Sequence, residues 1–165
     1  WNGFPGIRTG DRGWIDEEGF LHITGRFKDE YKLANGKYVH PEGIEGEIKM
    51  LRYVQNVMLY GDGKDFNVAI VVPSFAELRV HPETKVWMKD TLEESLRDRK
   101  LQDYLAKGIV AHLRKTFGGY EIPQKFLFVA EDFTLENGLL TQTMKVKRNL
   151  VLARYREQLQ ALYEE

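Results

Sequence analysis

Short stretches of alternating apolar and polar residues near the start of the chain predict strands joined by tight turns. Residues 13–15 and 20–23 flank a cluster of acidic residues and glycine, which is the pattern of a β-hairpin. Such a hairpin is marginally stable alone, so we expect it to pack against a partner. Residues 31–33 and 37–39 predict a second hairpin, because Asn-Gly at positions 35–36 is a strong turn signal.

After the second hairpin, the spacing of apolar residues changes to a helical period. Pro41 is well placed to open a helix, where a missing backbone N–H costs little. Ile44, Ile48 and Leu51 then supply a buried stripe at i, i+4 and i+7. We interpret three carboxylates as lying near the positive end of this helix: Glu42, Glu45 and Glu47.

The remaining pattern intersperses strands and helices without regular βαβ repeats. Residues 54–60 and 66–72 are apolar and β-branched, and they predict adjacent antiparallel strands. Four further elements are predicted: helical pieces within 74–100, an amphipathic helix over 101–117, a strand over 125–129 and a last helix over 146–163. The class is therefore α+β, with a central, mostly antiparallel sheet of about three strands flanked by helices, plus a short N-terminal β-hairpin.

Composition excludes several classes of function. The 165 residues carry 24 basic and 25 acidic side chains, so the net charge of −1 gives no support for nucleic-acid binding. The chain has no cysteine, which rules out disulfides and thiolate chemistry, and its four histidines lack metal-ligand spacing. No apolar run approaches the roughly 20 residues of a membrane span. The first residue is not methionine and no signal-peptide pattern follows, so we expect the chain to come from a longer protein.

The first candidate for chemistry is Lys145. Between Gly138 and this lysine lie two leucines, two threonines and a methionine, and a basic stretch follows the lysine. A lysine held among apolar neighbours on a turn suits delivering one positive charge to an anionic reacting group. Alone, the segment is more typical of a solvated basic face at the start of a surface helix.

Polar residues upstream form two further candidate sites. In Thr9-Gly10-Asp11 the glycine permits a tight bend, and the exposed carboxylate could accept two hydrogen bonds from a vicinal diol such as ribose. The alternative is a turn aspartate that caps a loop. Arg26 offers a fork of donors to a ribose or phosphate oxygen, or it forms an ion pair with a neighbouring acid.

Together these segments resemble the motifs of the adenylate-forming superfamily, which includes acyl-CoA synthetases, luciferases and the adenylation domains of peptide synthetases. Residues 9–11 resemble its ribose-binding motif, residues 25–28 its interdomain hinge motif, and residues 140–145 the motif that carries the catalytic lysine. The motifs also occur in the family's order. Residues 32–42 and 139–148 are most similar to the long-chain fatty acyl-CoA synthetases.

The resemblance implies a division of the chain and a nucleotide site. Residues 1–27 would be the C-terminal strip of the large adenylation domain, and residues 28–165 the small C-terminal lid domain. Asp11, with Thr9 and Arg26, would bind the ribose of ATP or AMP.

The resemblance also implies how the lid works. Lys145 would bridge the carboxylate substrate and the α-phosphate, and Lys28 would be the pivot about which the lid swings. After that rotation, the hairpin carrying Lys32, Asn35 and Gly36 would line the tunnel for the thiol of coenzyme A.

The implied activity is ATP-dependent adenylation of a fatty acid, followed by thioester formation with coenzyme A. ATP, Mg²⁺ and coenzyme A would be substrates of the intact enzyme, with none tightly bound to this chain, which alone is expected to be inactive. The expected partners are the N-terminal adenylation domain in cis, fatty acid and CoA, but not nucleic acid. A cytoplasmic location is expected, with peripheral membrane association of the full-length enzyme left open. Two alternatives remain: adenylation of an aryl or amino acid, and a non-enzymatic α+β module that binds a protein.

Three positions depart from the family pattern. Met144 stands where luciferases and peptide synthetases usually have glycine. Gln142 stands where the long-chain branch commonly has proline, which is expected to loosen the turn without removing the lysine's charge. Lys28 occupies a pivot position that some members fill with aspartate, so the preference of the hinge could differ.

Overall fold

The computed structural model describes residues 9–26 and 30–164, and within the first range it leaves out the side chains of residues 12 and 24–26. Both predicted hairpins are confirmed: β1 (Asp11–Ile15) pairs with β2 (Leu21–Arg26), and β3 (Tyr31–Lys32) pairs with β4 (Tyr38–Val39). In the second turn Gly36 has φ 87°, a left-handed conformation that favours glycine over any residue with a Cβ.

The main sheet has three strands in the order β5 (Val54–Tyr60), β6 (Val68–Pro73) and β7 (Lys125–Phe128). β5 and β6 are antiparallel as predicted, whereas β7 runs parallel to β6. The sheet is therefore mixed, and the expectation of a mostly antiparallel sheet is corrected. The physical reason is the long crossover between β6 and β7, which contains helices and returns the chain to the same end of the sheet.

The helices follow the predicted order, with shifted ends. They are α1 (Pro41–Lys49), α2 (Phe75–Val80), α3 (Leu92–Ser95), α4 (Arg99–Leu113), α5 (Arg148–Arg154) and α6 (Arg156–Glu164), with a 3₁₀ turn at Lys85–Trp87. The helix predicted over 101–117 ends at Leu113, and the predicted last helix is broken at Tyr155, where φ is −109°. None of the helices in the described ranges combines the length and apolarity that a bilayer crossing needs.

Two apolar cores lie on opposite faces of the main sheet. On one face α1 and α4 bury Ile44, Ile48, Ile109 and Leu113 against β5 and β6. On the other face, the buried residues come from β6, the segment before α5, and the last two helices: Ile70, Val72, Phe133, Leu139, Leu140, Val151 and Leu159. Every residue of β6 is consequently buried. The segment that precedes Lys145 packs its leucines into the second core.

A buried amide connects β3 to the loop before β7. Asn67 is fully buried, and its Oδ1 accepts a hydrogen bond of 2.6 Å from the Tyr31 hydroxyl. Its Nδ2 donates to the carbonyl oxygens of Tyr120 and Glu121 at 2.9 and 3.0 Å. Burial raises the pKa of Tyr31, so its hydroxyl stays a donor throughout the ordinary pH range.

Asn67→Ala is expected to lower the free energy of unfolding of the chain by about 2–4 kcal/mol, because the Tyr31 hydroxyl and two carbonyl oxygens lose the hydrogen bonds that the buried amide supplies. Urea titration followed by circular dichroism measures the effect. Gln55→Ala is the control, since Gln55 is exposed at a bulge in β5, and it should change stability by less than about 0.5 kcal/mol. Equal losses in both variants would contradict the importance of this network.

Candidate functional site

Lys145 lies at the end of a small closed hairpin, which we call the lysine loop (residues 140–146). Leu140 and Val146 form an antiparallel bridge at its base. Within the loop the Thr141 N–H donates to the Lys145 carbonyl at 2.8 Å, and the Met144 N–H donates to the Thr141 carbonyl at 2.9 Å. The loop is therefore held by its own backbone hydrogen bonds and is not an open turn.

A threonine side chain fixes the backbone of Lys145. The Lys145 N–H donates to Thr141 Oγ1 at 3.1 Å, and the Thr141 and Thr143 hydroxyl oxygens are 3.0 Å apart. The Lys145 side chain itself is exposed. The loop therefore combines a fixed Cα position with an ammonium group that is accessible to a ligand.

The residue before the lysine has an unusual backbone conformation. Met144 has φ 61° and is the one non-glycine residue with positive φ in the described ranges. A left-handed conformation costs a residue with a Cβ about 1–2 kcal/mol. The Met144 side chain is 63% exposed, so packing offsets little of this cost. A glycine at this position would avoid that cost, because it has no Cβ.

The upstream arm of the lysine loop is anchored by Asn137. Its Oδ1 accepts the N–H groups of Thr134 and Leu139 at 3.0 and 3.2 Å, and its Nδ2 donates to the Asp132 carbonyl at 2.7 Å. Leu139 and Leu140 follow directly and are each only 3% exposed. The chain therefore enters the loop from a fixed position in the second core.

The downstream arm is anchored by an ion pair. Arg148 Nη2 lies 2.7 and 2.6 Å from the two carboxylate oxygens of Glu45, and Nη1 donates to the Leu59 carbonyl at 3.1 Å. Glu45 also accepts the Leu59 N–H at 2.6 Å. Burial raises the pKa of the Glu45 carboxyl, and the adjacent Arg148 guanidinium opposes that rise.

The lysine loop, α1 and β5 line an open surface groove. Its walls carry charges of both signs, from Glu30, Glu42, Glu45, Asp62, Lys49, Lys145, Lys147 and Arg148. A bound anionic group could contact the exposed Lys145 ammonium there, while Arg148 is already engaged by Glu45. Within the part of the chain that the structure describes, no three acidic or histidine side chains cluster as a metal site would require.

The residues predicted to bind nucleotide lie together at the open end of the first hairpin. Asp11 and Arg26 are Cα partners in the pairing of β1 with β2, and the Asp11 N–H donates to Thr9 Oγ1 at 3.2 Å. Gly10 between them has φ 78°, which confirms that a glycine bend turns the chain here. The side chain of Arg26 and the whole of Lys28, the predicted pivot, lie outside the described residues.

The three residues predicted for the thiol side share the second hairpin. Lys32 Nζ lies 5.5 Å from the centre of the Tyr38 ring, and Asn35 Oδ1 accepts the Lys37 N–H at 3.0 Å, next to Gly36. None of the predicted residues other than Lys145 lines the groove, as far as the described residues show. The structure thus places the predicted residues on three separate elements.

The pairing of Glu45 with Arg148 was not predicted from the sequence. Only Glu42 lies in the first turn of α1, so the interpretation of Glu45 and Glu47 as partners of the helix end is wrong. Glu45 pairs with Arg148, and Glu47 pairs with His112 at 3.0 Å. A signal was present: Glu45 is the charged residue in the inward-facing i, i+3, i+4, i+7 set that starts at Pro41.

Met144→Val is expected to destabilise the chain by about 1–3 kcal/mol, because a β-branched residue tolerates the left-handed conformation less well than methionine. Met144→Gly should be neutral or stabilising by up to about 1 kcal/mol, since it removes the strain. Urea denaturation of the two variants measures the order. Met50→Val is the control, because Met50 is at least as exposed as Met144 but has an ordinary φ of −69°. If valine costs as much at position 50 as at 144, the strain is not real.

Known proteins with similar sequences and folds are adenylate-forming enzymes. The sequence model of the family described as AMP-binding enzyme C-terminal domain matches residues 28–165. Acyl-CoA ligase 891, peroxisomal, from Penicillium roqueforti is 33% identical over 168 residues, and long-chain-fatty-acid–CoA ligase 4 from Saccharomyces cerevisiae is 32% identical over 163 residues. Each alignment covers 96% of this chain and 24% of the relative.

A solved structure gives the same answer for the fold. The adenylation domain of a carboxylate reductase from Mycobacterium chelonae superposes with a TM-score of 0.70 at 29% identity, over 95% of this chain and 23% of that one. The chain therefore spans about a quarter of the length of the proteins it matches. It belongs to the family of AMP-binding enzyme C-terminal domains, found in adenylate-forming enzymes that include acyl-CoA ligases.

Proposed function

We propose that this chain is the C-terminal part of an AMP-forming acid–thiol ligase that activates a long-chain fatty acid with ATP and transfers it to coenzyme A. The observation that carries the proposal is the lysine loop, which holds the backbone of Lys145 in place and leaves its ammonium group exposed. Relatives named as acyl-CoA and long-chain-fatty-acid ligases support the choice of reaction.

In the proposed first step, a carboxylate oxygen of the acid attacks the α-phosphorus of ATP, and pyrophosphate leaves with the electron pair of the broken P–O bond. Lys145 contacts the oxygens on which negative charge is concentrated and lowers the barrier electrostatically. Asp11, Thr9 and Arg26 bind the ribose. ATP enters as its magnesium complex, so the metal arrives with the substrate.

In the proposed second step, the thiolate of coenzyme A attacks the acyl carbon, and AMP is the leaving group. The lid turns about Lys28 between the steps, which replaces the lysine loop by the hairpin of Lys32, Asn35 and Gly36. The two groups of residues lie on separate elements, as a mechanism with two faces requires.

We further propose that residues 1–27 belong to the large domain and residues 28–165 form the lid. The family's matched range begins at residue 28, which supports this boundary. In the hairpin of β1 and β2, five large apolar side chains are each more than half exposed: Trp14, Ile15, Phe20, Leu21 and Ile23. Exposed apolar area of this kind marks a surface that another domain covers.

A second candidate is adenylation of another carboxylic acid, such as an aryl acid. The superposition on an adenylation domain of a carboxylate reductase supports it, because that enzyme has the same fold and is not named as a CoA ligase. A panel of fatty, aryl and amino acids tested on the full-length protein separates the candidates. Pyrophosphate release with long-chain acids alone would support the first.

Lys145→Ala in the full-length protein is expected to reduce formation of the acyl-adenylate by at least about 100-fold, because it removes the charge that stabilises the transition state. Formation of the thioester from preformed acyl-adenylate should change by less than about threefold. Lys107→Ala is the control, since Lys107 is an exposed lysine of α4 that does not line the groove, and it should leave both steps unchanged. No effect of Lys145→Ala on either step would favour a non-enzymatic binding module.

The 165-residue chain by itself is expected to form no thioester from fatty acid, ATP and coenzyme A, because it spans only a quarter of its relatives. It should bind ATP with a Kd above about 1 mM, which corresponds to less than about 4 kcal/mol of binding free energy. Calorimetric titration and a coupled AMP assay measure the two quantities. Robust thioester formation by the chain alone would refute the proposed division of labour.

A further inference from the structure

We propose that Glu45 and Arg148 are positioning residues for Lys145: their ion pair, bound to the backbone of Leu59, sets the direction in which the lysine loop leaves the domain. The inference rests on the proposed function of Lys145 and adds to it two residues that do not touch the substrate. It is carried by the geometry of the pair, its place in the chain and its contrast with a second carboxylate contact on the same helix.

The pair occupies the free edge of the main sheet. β5 is an edge strand, and Leu59 is the Cα partner of Ala69 on its inner side. On its outer side the Leu59 N–H donates to Glu45, and its carbonyl accepts from Arg148, at 2.6 and 3.1 Å. Two side chains thus take the place of a neighbouring strand. Their opposite charges are paired through Arg148 Nη2, which contacts both carboxylate oxygens of Glu45.

The position of Arg148 in the chain makes the pair relevant to Lys145. Arg148 is the first residue of α5 and lies three residues after Lys145. Between them, Val146 bridges to Leu140 and the Lys147 N–H donates to the Leu139 carbonyl at 2.8 Å. The upstream arm is already fixed by the second core, so the ion pair supplies the second point of attachment that a rigid loop needs.

Stability alone does not account for this pair. A buried ion pair is often no more stabilising than apolar side chains of the same volume, because desolvation offsets the attraction. Here the Glu45 side chain is 12% exposed and that of Arg148 is 25% exposed. What the pair supplies beyond free energy is geometry, since a planar guanidinium bound to a carboxylate through one nitrogen and to a carbonyl through another has one orientation.

Glu47 provides an internal comparison. It lies on the same helix as Glu45 and its carboxylate also has a side-chain partner, His112 of α4, whose Nε2 lies 3.0 Å away. That contact joins one nitrogen to one carboxylate oxygen, the Glu47 side chain is 35% exposed, and neither residue lines the groove. Loss of Glu47 should therefore affect α1 without moving the lysine loop.

The kinetic test uses the full-length protein with Glu45→Gln and, as control, Glu47→Gln. Glutamine keeps the shape of the side chain and can still accept the Leu59 N–H, but it loses the charge that holds Arg148. We expect kcat for adenylate formation to fall at least about tenfold, with KM for ATP and acid within about twofold. Thioester formation from preformed acyl-adenylate should stay within about twofold. Equal losses in both steps, or no loss, would overturn the inference.

Amide hydrogen exchange in the 165-residue chain gives a readout that does not depend on activity. In Glu45→Gln the amides of Thr141, Met144 and Lys145 should exchange at least about tenfold faster, while those of β6 stay unchanged. A general loss of stability would instead accelerate all of them together. Unchanged loop amides would overturn the inference even if Lys145→Ala abolishes adenylation. A full-length protein that adenylates no acid would refute the proposed function, and the exchange data would still decide whether the pair holds the loop.

Discussion

The outer edge of β5 at Leu59 is the point where the two halves of this domain are joined. Its backbone N–H and carbonyl face away from β6, and an unpaired edge of this kind needs partners. Glu45 from α1 and Arg148 from the start of α5 supply them, at 2.6 and 3.1 Å. A helix that packs on one face of the sheet is thereby connected to the segment that packs on the other. The lysine loop lies in the chain between the second core, which fixes its upstream arm, and Arg148, which fixes its downstream arm.

Features that depend on neighbouring residues could be predicted from the sequence. The Asn-Gly turn, the proline that opens α1 and the β-branched runs of β5 and β6 all determine local conformation, and each prediction is confirmed. Features that depend on distant residues could not. The parallel pairing of β7 follows from the route of the crossover, and the break at Tyr155 follows from how α5 and α6 both bury residues in one core. Apolar periodicity contains neither piece of information.

The candidate site divides in the same way. The position of Lys145 on a turn was readable because the turn is built from its own residues, and even the departure at Met144 has a local cause in its φ of 61°. The partner of Glu45 was not readable, because 103 residues separate it from Arg148. Glu45 stood out only as a charge within an apolar stripe. That pattern indicates a buried partner without saying which of the 24 basic residues provides it.

α1, whose Glu45 binds Arg148, begins directly after the second hairpin, with one residue between Val39 and Pro41. In the proposed mechanism, one hairpin serves the thiol step and the lysine loop serves the adenylation step, so each rotation must carry both. A hinge transmits a rotation faithfully only when the moving body is rigid. α1 provides that rigidity, because Asn35 and Gly36 are attached near its first residue and Lys145 is attached through Glu45. The ion pair would then matter for the adenylation position of the lid, because only adenylation uses the lysine that it holds.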